Sequence, residues 1–267
     1  MIGVHLRGRL GNTLFELSLA EKIAKEFDTS VCIIDSKPAR PYYTDELYNV
    51  EFFKRWEILE PVVMNKYPII TKWAEMENIK DNIILNGYFS GPRCIYPEIR
   101  RIFTPSKKLK EELMDLYEPT KNSLSIHIRR GDFLNPEVIK GGWFSCPKEY
   151  WEAAFKVMNK KYDKVIIISD DIDWCKTALE FDANVIYADK RMENSTLFGD
   201  LFLPSLCGDN IISASTFSWW GMYLNNNLNK KVIMPYPWNT LPGNARNKLY
   251  YTDDCIKLGI YDYKVKH

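Results

Sequence analysis

Short apolar segments of strand length alternate along this chain with amphipathic helical patterns, and this alternation limits the fold more than any other feature. A first series of such segments lies at residues 2–7, 31–35 and 82–85, and a second lies at residues 124–129, 164–169, 184–187, 210–215 and 231–234. The pattern predicts an α/β protein with mostly parallel sheets, arranged as two consecutive nucleotide-binding-type domains that face a cleft.

A polar linker at residues 119–123 separates the two series. We therefore expect one domain over residues 1–123, which serves as the acceptor side, and a second over residues 124–246. The tail 247–267 can pack back on the first domain or on the second. The stretch from about 38 to 81 is predicted to be irregular. A helix is expected over residues 195–207, interrupted near Pro204.

The charges of the chain nearly cancel, with 36 Lys and Arg against 35 Asp and Glu. No overall positive field therefore favours nucleic acid or an anionic membrane as a partner. No apolar run approaches the ~20 residues needed to span a bilayer, and the first residues lack the layout of a signal peptide. We expect a cytoplasmic protein without a transmembrane segment. With 3 histidines in the whole chain, a His-rich zinc site is disfavoured.

The segment from Leu124 to Phe133 is the most informative for function. Strand alternation directs Ile126 and Ile128 to the core and His127 and Arg129 to the opposite face. Arg129 then stands at the carboxyl end of a strand, where α/β sheets bind ligands, and can direct two donors onto a phosphate. The alternative is a surface ion-pair turn, in which Arg130 pairs with Asp132 or another carboxylate.

A hydroxyl-rich turn leads from a strand into a helix at Ser215-Thr216-Phe217-Ser218. Such a turn presents backbone N–H groups and the positive end of a helix dipole to an anion. The alternative is that Ser218 simply caps the helix.

Carboxylates follow the apolar strand that ends near Ser169. The spacing of Asp171 and Asp173 is that by which sugar-nucleotide enzymes hold Mn²⁺ or Mg²⁺. Asp170 could instead accept hydrogen bonds from a guanine edge. In the third interpretation, Asp171 or Asp173 caps the following helix.

The first strand runs into a turn, Gly8-Arg9-Leu10-Gly11-Asn12, whose glycines let the backbone approach a ligand. A helix is predicted from about Thr13 to Phe27, where Thr13 and Glu16 have the spacing of a capping box.

Four motifs resemble one known family. His127–Asp132 matches the HxRRGD motif of α-1,2-fucosyltransferases, and Gly8–Phe15 is similar to the amino-terminal G-x-L-G-N-Q-x-F motif of that family. Ser215–Gly221 resembles the S-[ST]-F-S-W-W-G segment of the family, and Gly87-Tyr88-Phe89 resembles its G-Y-[FW] motif. The resemblance implies a GT-B-like fold, with two Rossmann-like domains and the donor site in the cleft between them. It also implies inverting, metal-independent transfer of L-fucose from GDP-fucose, with O2 of a terminal β-galactoside as the acceptor atom.

The resemblance carries roles to individual residues. Arg129 matches the essential phosphate-binding arginine, and Asn12 an asparagine near the reacting carbon. The general base is left open between Asp132 and Glu16. The residues expected to bind the donor are Gly11, His127, Asp170, Ser215, Thr216, Phe217 and Ser218.

Two rival functions remain at this point. The first is a metal-dependent GT-A glycosyltransferase that uses Asp171 and Asp173. The second is a non-catalytic glycan-binding protein that uses the Trp and Tyr content of the chain. In the fucosyltransferase interpretation, the partners are GDP-fucose and an oligosaccharide or lipid-linked glycan, and no cofactor is needed. A lipid-linked acceptor would bring the chain transiently to a membrane surface.

Overall fold

The computed structural model describes residues 1–35, 51–77, 79–189 and 196–266. The chain divides into two compact units, Met1–Ser106 and Lys107–His267. Each unit carries a sheet whose strands are mainly parallel, so the predicted α/β class is confirmed.

In the described part of the first unit, parallel strands are arranged in the order β3-β2-β1-β5-β4. The strands are β1 (Ile2–His5), β2 (Val31–Ile34), β3 (Glu57–Leu59), β4 (Ile69–Ile70) and β5 (Ile83–Leu85). The chain adds β2 and β3 on one side of β1, and β5 and β4 on the other. The carboxyl end of β1 is therefore a switch point, the place where open α/β sheets bind ligands.

Helix α1 (Leu10–Glu26) begins three residues before the predicted start, which places Gly11 and Asn12 in its first turn. Arg9 rather than Thr13 occupies the N-cap position, so the predicted capping box is wrong. Glu16 Oε2 instead accepts a hydrogen bond of 2.8 Å from the backbone N–H of Arg7. Glu16 thereby ties the helix to the segment that leaves β1.

The region predicted to be irregular contains β3, β4 and short 3-10 turns, while its residues 38–50 and 78 lie outside the described residues. Those turns are Phe53–Arg55, Pro61–Lys66 and Trp73–Met76, and a further turn at Pro92–Cys94 precedes helix α2 (Ile99–Ile102).

The second unit carries, among its described residues, a sheet in the order β12-β11-β10-β9-β6-β7-β8. Its strands are β6 (Ser123–Ile128), β7 (Lys164–Ser169), β8 (Val185–Tyr187), β9 (Asp209–Ile212), β10 (Val232–Tyr236), β11 (Cys255–Gly259) and β12 (Val265–Lys266). All neighbours are parallel except β11 and β12. Because β7 and β8 lie on one side of β6 and β9 on the other, the switch point falls between β6 and β9.

Helices of the second unit precede β6 or connect these strands, and helical connections are expected for parallel pairing. They are α3 (Lys107–Tyr117), α4 (Pro136–Lys140), α5 (Lys148–Met158), α6 (Ile172–Ala178), α7 (Thr196–Phe202), α8 (Thr216–Tyr223) and α9 (Arg246–Leu249). The predicted helix over 195–207 starts at a residue outside the described range; from Thr196 it is α7, followed by a 3-10 turn at Leu203–Leu206 that contains Pro204.

Strand β6 is buried on both faces, and its two faces differ in chemistry. Leu124, Ile126 and Ile128 join the apolar core with Trp151 of α5. On the other face, Ser125 Oγ accepts a hydrogen bond of 2.6 Å from Asn210 Nδ2. The predicted alternation of β6 is confirmed.

The unit boundary differs from the predicted one. It lies between residues 106 and 107, so α3 and the linker at 119–123 belong to the second unit. The tail packs on the second unit as well, because β11 pairs with β10 from Val232–Cys255 to Tyr236–Gly259. The sequence pattern does not indicate the packing of the tail, because it does not specify which sheet a strand near the end of the chain joins. In the described ranges, no helix is long and apolar enough to cross a bilayer.

Candidate active site

A serine joins the two strands that form the switch point of the second sheet. Ser213 Oγ donates a 2.8 Å hydrogen bond to the carbonyl oxygen of His127 and accepts one of 2.8 Å from the backbone N–H of Arg129. It therefore extends the pairing of β6 with β9 beyond the last backbone pair, His127 with Ile212. This hydroxyl determines where Arg129 leaves the sheet.

The guanidinium of Arg129 lies between two carboxylates. Its Nη1 contacts Asp170 Oδ2 and its Nη2 contacts Asp132 Oδ1. The side chain is 20% exposed, and a guanidinium has more N–H donors than these two contacts use. Arg129 is thus held in one orientation and keeps donors for a further anion.

Asp170 contacts the turn after β6 with both of its carboxylate oxygens. Its Oδ1 accepts a hydrogen bond of 2.8 Å from the backbone N–H of Arg130, while its Oδ2 pairs with Arg129. These contacts hold Arg129 and the turn after β6 in place. The role at the guanine edge that the resemblance implies for Asp170 stays a prediction.

Arg130 points to a different set of partners than Arg129. Its Nε lies 2.9 Å from Asp171 Oδ2, and its guanidinium lies 3.7 Å from the centre of the Trp174 ring. Asp171 also accepts a 3.3 Å hydrogen bond from the backbone N–H of Trp174 and caps α6. Of the alternatives, pairing of Arg130 with Asp132 or another carboxylate is confirmed with Asp171 as the partner, and capping of the helix by Asp171 or Asp173 is confirmed for Asp171. Within the described ranges, no group of three or more His, Cys, Asp or Glu side chains is placed to hold a metal ion.

His127 is buried at this edge of the sheet and is 7% exposed. Its Nδ1 lies 2.6 Å from Ser218 Oγ, and its ring centre lies 5.3 Å from that of Phe217. Burial lowers its pKa to about 4, although the negative charge of Asp170 acts in the opposite direction. His127 is therefore neutral at physiological pH and can contribute hydrogen bonds but no charge.

Helix α8 begins at Thr216 with Ser215 at its N-cap, so the alternative in which Ser218 caps the helix is wrong. The helix starts earlier because the strand before it ends at Ile212 rather than at residue 215. Ser218 is 1% exposed, and its hydroxyl is bonded to His127. Ser215, Thr216 and Phe217 thus form the first turn, whose N–H groups carry the positive end of the helix dipole.

The profile of glycosyl transferase family 11 matches residues 82–250, which is more than half of the chain. The chain belongs to glycosyl transferase family 11. The resemblance that the motifs indicate is therefore confirmed, and the protein is a glycosyltransferase.

Two relatives of this family 11 chain come from Escherichia coli. The O-antigen biosynthesis glycosyltransferase WbnK is 29% identical over 221 residues, covering 76% of this chain and 71% of that protein. An α-1,2-colitosyltransferase is 35% identical over 198 residues, covering 66% of each.

Solved structures show the fold of the family 11 chain. A crystal structure of NodZ α-1,6-fucosyltransferase soaked with GDP-fucose has a TM-score of 0.54 and 16% identity, and the match covers 84% of this chain and 92% of that one. The predicted GT-B-like fold is confirmed by this likeness, which at such low identity concerns the fold alone.

Other predicted site residues of the family 11 chain lie in the first unit. Gly11 and Asn12 belong to the first turn of α1, beside the carboxyl end of β1. Glu16 is 1% exposed, and burial raises its pKa well above the usual range, against the effect of its hydrogen bond from Arg7. Glu16 is thus an internal side chain of this unit rather than a group on its surface.

Asp200 of α7 is a titratable group that the sequence analysis missed. Burial raises its pKa to about 7, and the negative charge of Asp170 adds to the effect. In sequence it is one aspartate in a short helical segment, and no motif distinguishes it there. Its proximity to Asp170 depends on the packing of α7 on the sheet, which the sequence pattern does not reveal.

Proposed function

We propose that this family 11 glycosyltransferase moves L-fucose from GDP-fucose to a hydroxyl group of a glycan, with inversion of the anomeric centre and without a divalent metal ion. The observation that carries the proposal is the placement of Arg129. It stands at the switch point of the second sheet, held by Asp132, Asp170 and Ser213, and the sheet strand next to it leads into the N-terminus of α8.

The reaction is a single displacement. The acceptor hydroxyl forms a bond to the anomeric carbon of fucose while the bond from that carbon to the β-phosphate oxygen breaks. Negative charge grows on the departing diphosphate. The remaining N–H donors of Arg129 and the first N–H groups of α8 stabilise that charge. Loss of one such contact typically costs ~10²–10³ in rate.

The remaining residues of the second unit orient the donor in this proposal. Ser215 and Thr216 offer hydroxyl and backbone donors at the start of α8, and Phe217 lies beside the neutral ring of His127. Ser218 acts through its hydrogen bond to His127. Asp170 holds Arg129 in place, and recognition of guanine by Asp170 remains a prediction.

The general base of the proposal is Asp132. Its side chain is 32% exposed, whereas Glu16 is 1% exposed and accepts a hydrogen bond from Arg7. An acceptor hydroxyl can therefore reach Asp132 but not Glu16. The proton of the hydroxyl passes to the carboxylate of Asp132, while Asn12 can orient a hydroxyl but cannot take its proton.

The acceptor atom in the proposal is O2 of a terminal β-galactoside. The motif resemblance supports it, as does the α-1,2 linkage in the name of the E. coli relative. The first unit serves the acceptor and the second unit binds the donor. A lipid-linked glycan built on the cytoplasmic side of a membrane is the expected carrier.

A second donor is favoured by one observation. The relative with 35% identity is a colitosyltransferase, and colitose is L-fucose without its 3-hydroxyl. A GDP-linked 3-deoxy sugar would fit the same diphosphate chemistry. Competition between GDP-fucose and GDP-colitose in one transfer assay decides between the two donors.

The experiment has two stages. Calorimetry with GDP, with and without EDTA, should show binding that chelation does not weaken. A transfer assay with GDP-fucose over a panel of galactosides, with the linkage determined by NMR, should then yield an α-1,2 product. Activity lost in EDTA and restored by Mn²⁺ would support the metal-dependent rival, and glycan binding without GDP affinity would support the non-catalytic one.

A further inference from the structure

An exposed aromatic side chain stands at the switch point of the first sheet. Tyr88 follows β5 by three residues and is 64% exposed. It is the central residue of the Gly87-Tyr88-Phe89 motif, for which the donor chemistry provides no role. A large exposed aromatic side chain beside the ligand edge of a sheet is a candidate binding surface.

The residues on either side of Tyr88 are fixed. A Cβ on Gly87 would lie 2.2 Å from the carbonyl oxygen of Thr71, so glycine is required there. Phe89 is 1% exposed and meets the Trp73 ring edge-on, with ring centres 5.3 Å apart. The backbone N–H of Phe89 also donates a 2.9 Å hydrogen bond to the carbonyl oxygen of Gly87. Tyr88 is therefore presented from a rigid support, which lowers the entropic cost of binding.

The Tyr88 ring and the side-chain amide of Asn12 both lie next to Gly8. Its φ of +73° favours glycine, and a Cβ on it would lie 2.6 Å from Asn12 Nδ2 and 3.1 Å from Tyr88 Cε1. The ring edge and the amide thus both lie beside the position that a side chain on residue 8 would occupy. Asn12 is the residue that the motif resemblance places near the reacting carbon.

A polar cluster of three planar side chains lies at the same edge. Asn86 Oδ1 accepts a 2.8 Å hydrogen bond from Arg7 Nε and lies 2.8 Å from His5 Nδ1. Because an arginine N–H can only donate, this oxygen is an acceptor, and His5 Nδ1 must carry the proton. His5 Nε2 is then an acceptor, and Asn86 Nδ2 and the terminal nitrogens of Arg7 are donors.

We propose that Tyr88, His5, Arg7 and Asn86 form the subsite for the acceptor sugar, with Asn12 at its inner end. A β-galactopyranose suits it, because its axial O4 leaves the C–H bonds at C3, C4 and C5 together on one face, which can stack on the Tyr88 ring. Its hydroxyls would meet the planar donors and the histidine acceptor. This inference rests on the proposed function and names the residues by which that reaction selects its acceptor.

The test compares matched variants of the full chain. Tyr88→Ala should raise the KM for methyl β-D-galactoside about tenfold or more, because the stacking surface is lost. Tyr88→Phe should keep the wild-type KM within about twofold, because it keeps the ring. The control is Tyr261→Ala, which removes a tyrosine that is 74% exposed in the second unit. The Kd for GDP, measured by calorimetry, should be the same in all three variants.

A second readout does not depend on turnover. Saturation-transfer NMR with methyl β-D-galactoside should show contacts to the wild type and to Tyr261→Ala, but weaker contacts to Asn86→Ala and Tyr88→Ala. If Tyr88→Ala matches Tyr261→Ala in both assays while the wild type transfers fucose, the acceptor subsite is elsewhere. If the wild type binds no GDP, the proposed function is wrong, and the acceptor subsite that rests on it is wrong as well.

Discussion

Asp170 lies directly against Gly131: a Cβ on residue 131 would stand 2.4 Å from Asp170 Oδ2. That oxygen is the one paired with Arg129. The glycine of the HxRRGD motif is therefore explained by this close approach. Any larger residue would displace the carboxylate that orients the arginine.

Gly131→Ala should therefore reduce activity through Arg129. We expect kcat/KM to fall by ~10² or more, because the arginine loses its fixed orientation toward the diphosphate. The measurement is transfer from GDP-fucose together with the Kd for GDP. The control is the same substitution in an Asp170→Ala background, where the clash is absent and Gly131→Ala should add little further loss. Additive losses in this cycle would contradict the explanation.

Arg129 and Arg130 should have different functions, the first in transfer and the second in stability. Arg129→Ala should abolish transfer, at a cost of at least ~10²–10³ in rate, because it removes the cation at the switch point. Arg130→Ala should act mainly on stability, since Arg130 lies over the Trp174 ring at 3.7 Å and pairs with Asp171 at 2.9 Å. We expect it to lower the free energy of unfolding by ~1–2 kcal/mol. Steady-state rates and urea unfolding of both variants test this, and equal activity losses at equal stability would refute the assignment.

The fold was accessible from the sequence where periodicity is strong. The alternation in β6 correctly places Ile126 and Ile128 in the core and His127 opposite them, because a strand with period two has one solution for its faces. The starts of α1 and α8 could not be predicted correctly, because both were inferred from the capping preferences of Ser and Thr. In the structure Arg9 and Ser215 hold those positions, and tertiary contacts override a weak local preference.

The candidate site was accessible where the chemistry lies within one motif. Arg129 could be identified because charge, strand end and glycine turn are contiguous. The contacts that hold Arg129 could not be predicted, because Ser213 and Asp170 directly follow β9 and β7, 84 and 41 residues further along the chain. Strand order determines those contacts, and it follows from the packing of the whole unit. Asp200 is hidden for the same reason, because its raised pKa reflects its own burial and the negative charge of Asp170.

Ser213 should matter for both stability and rate. Ser213→Ala removes the acceptor of the Arg129 N–H and the donor to the His127 carbonyl, both at 2.8 Å. We expect a loss of ~1–3 kcal/mol in the free energy of unfolding, because a buried donor is left without its partner. A fall in kcat/KM of about tenfold should accompany it, through displacement of Arg129. The matched control is Ser205→Ala, which removes a single hydrogen bond of 2.6 Å to the Phe202 carbonyl and should leave the rate unchanged.

Asp200 should make the stability of the protein depend on pH. Its pKa is raised from 3.8 to about 7 on folding, so the folded state holds the proton more tightly than the unfolded chain does. The free energy of unfolding should therefore fall as pH rises from near 4 through about 7. Asp200→Asn cannot ionise, so it should match the wild type near pH 4 and exceed it at pH 8, by at most ~4 kcal/mol. Urea unfolding at a series of pH values measures this difference. The control for the substitution itself is Asp173→Asn, which changes an exposed carboxylate of α6. If Asp200→Asn shows the same pH dependence as the wild type, the carboxyl of Asp200 ionises in the folded protein as it does in the unfolded chain, and its burial near Asp170 has no energetic consequence.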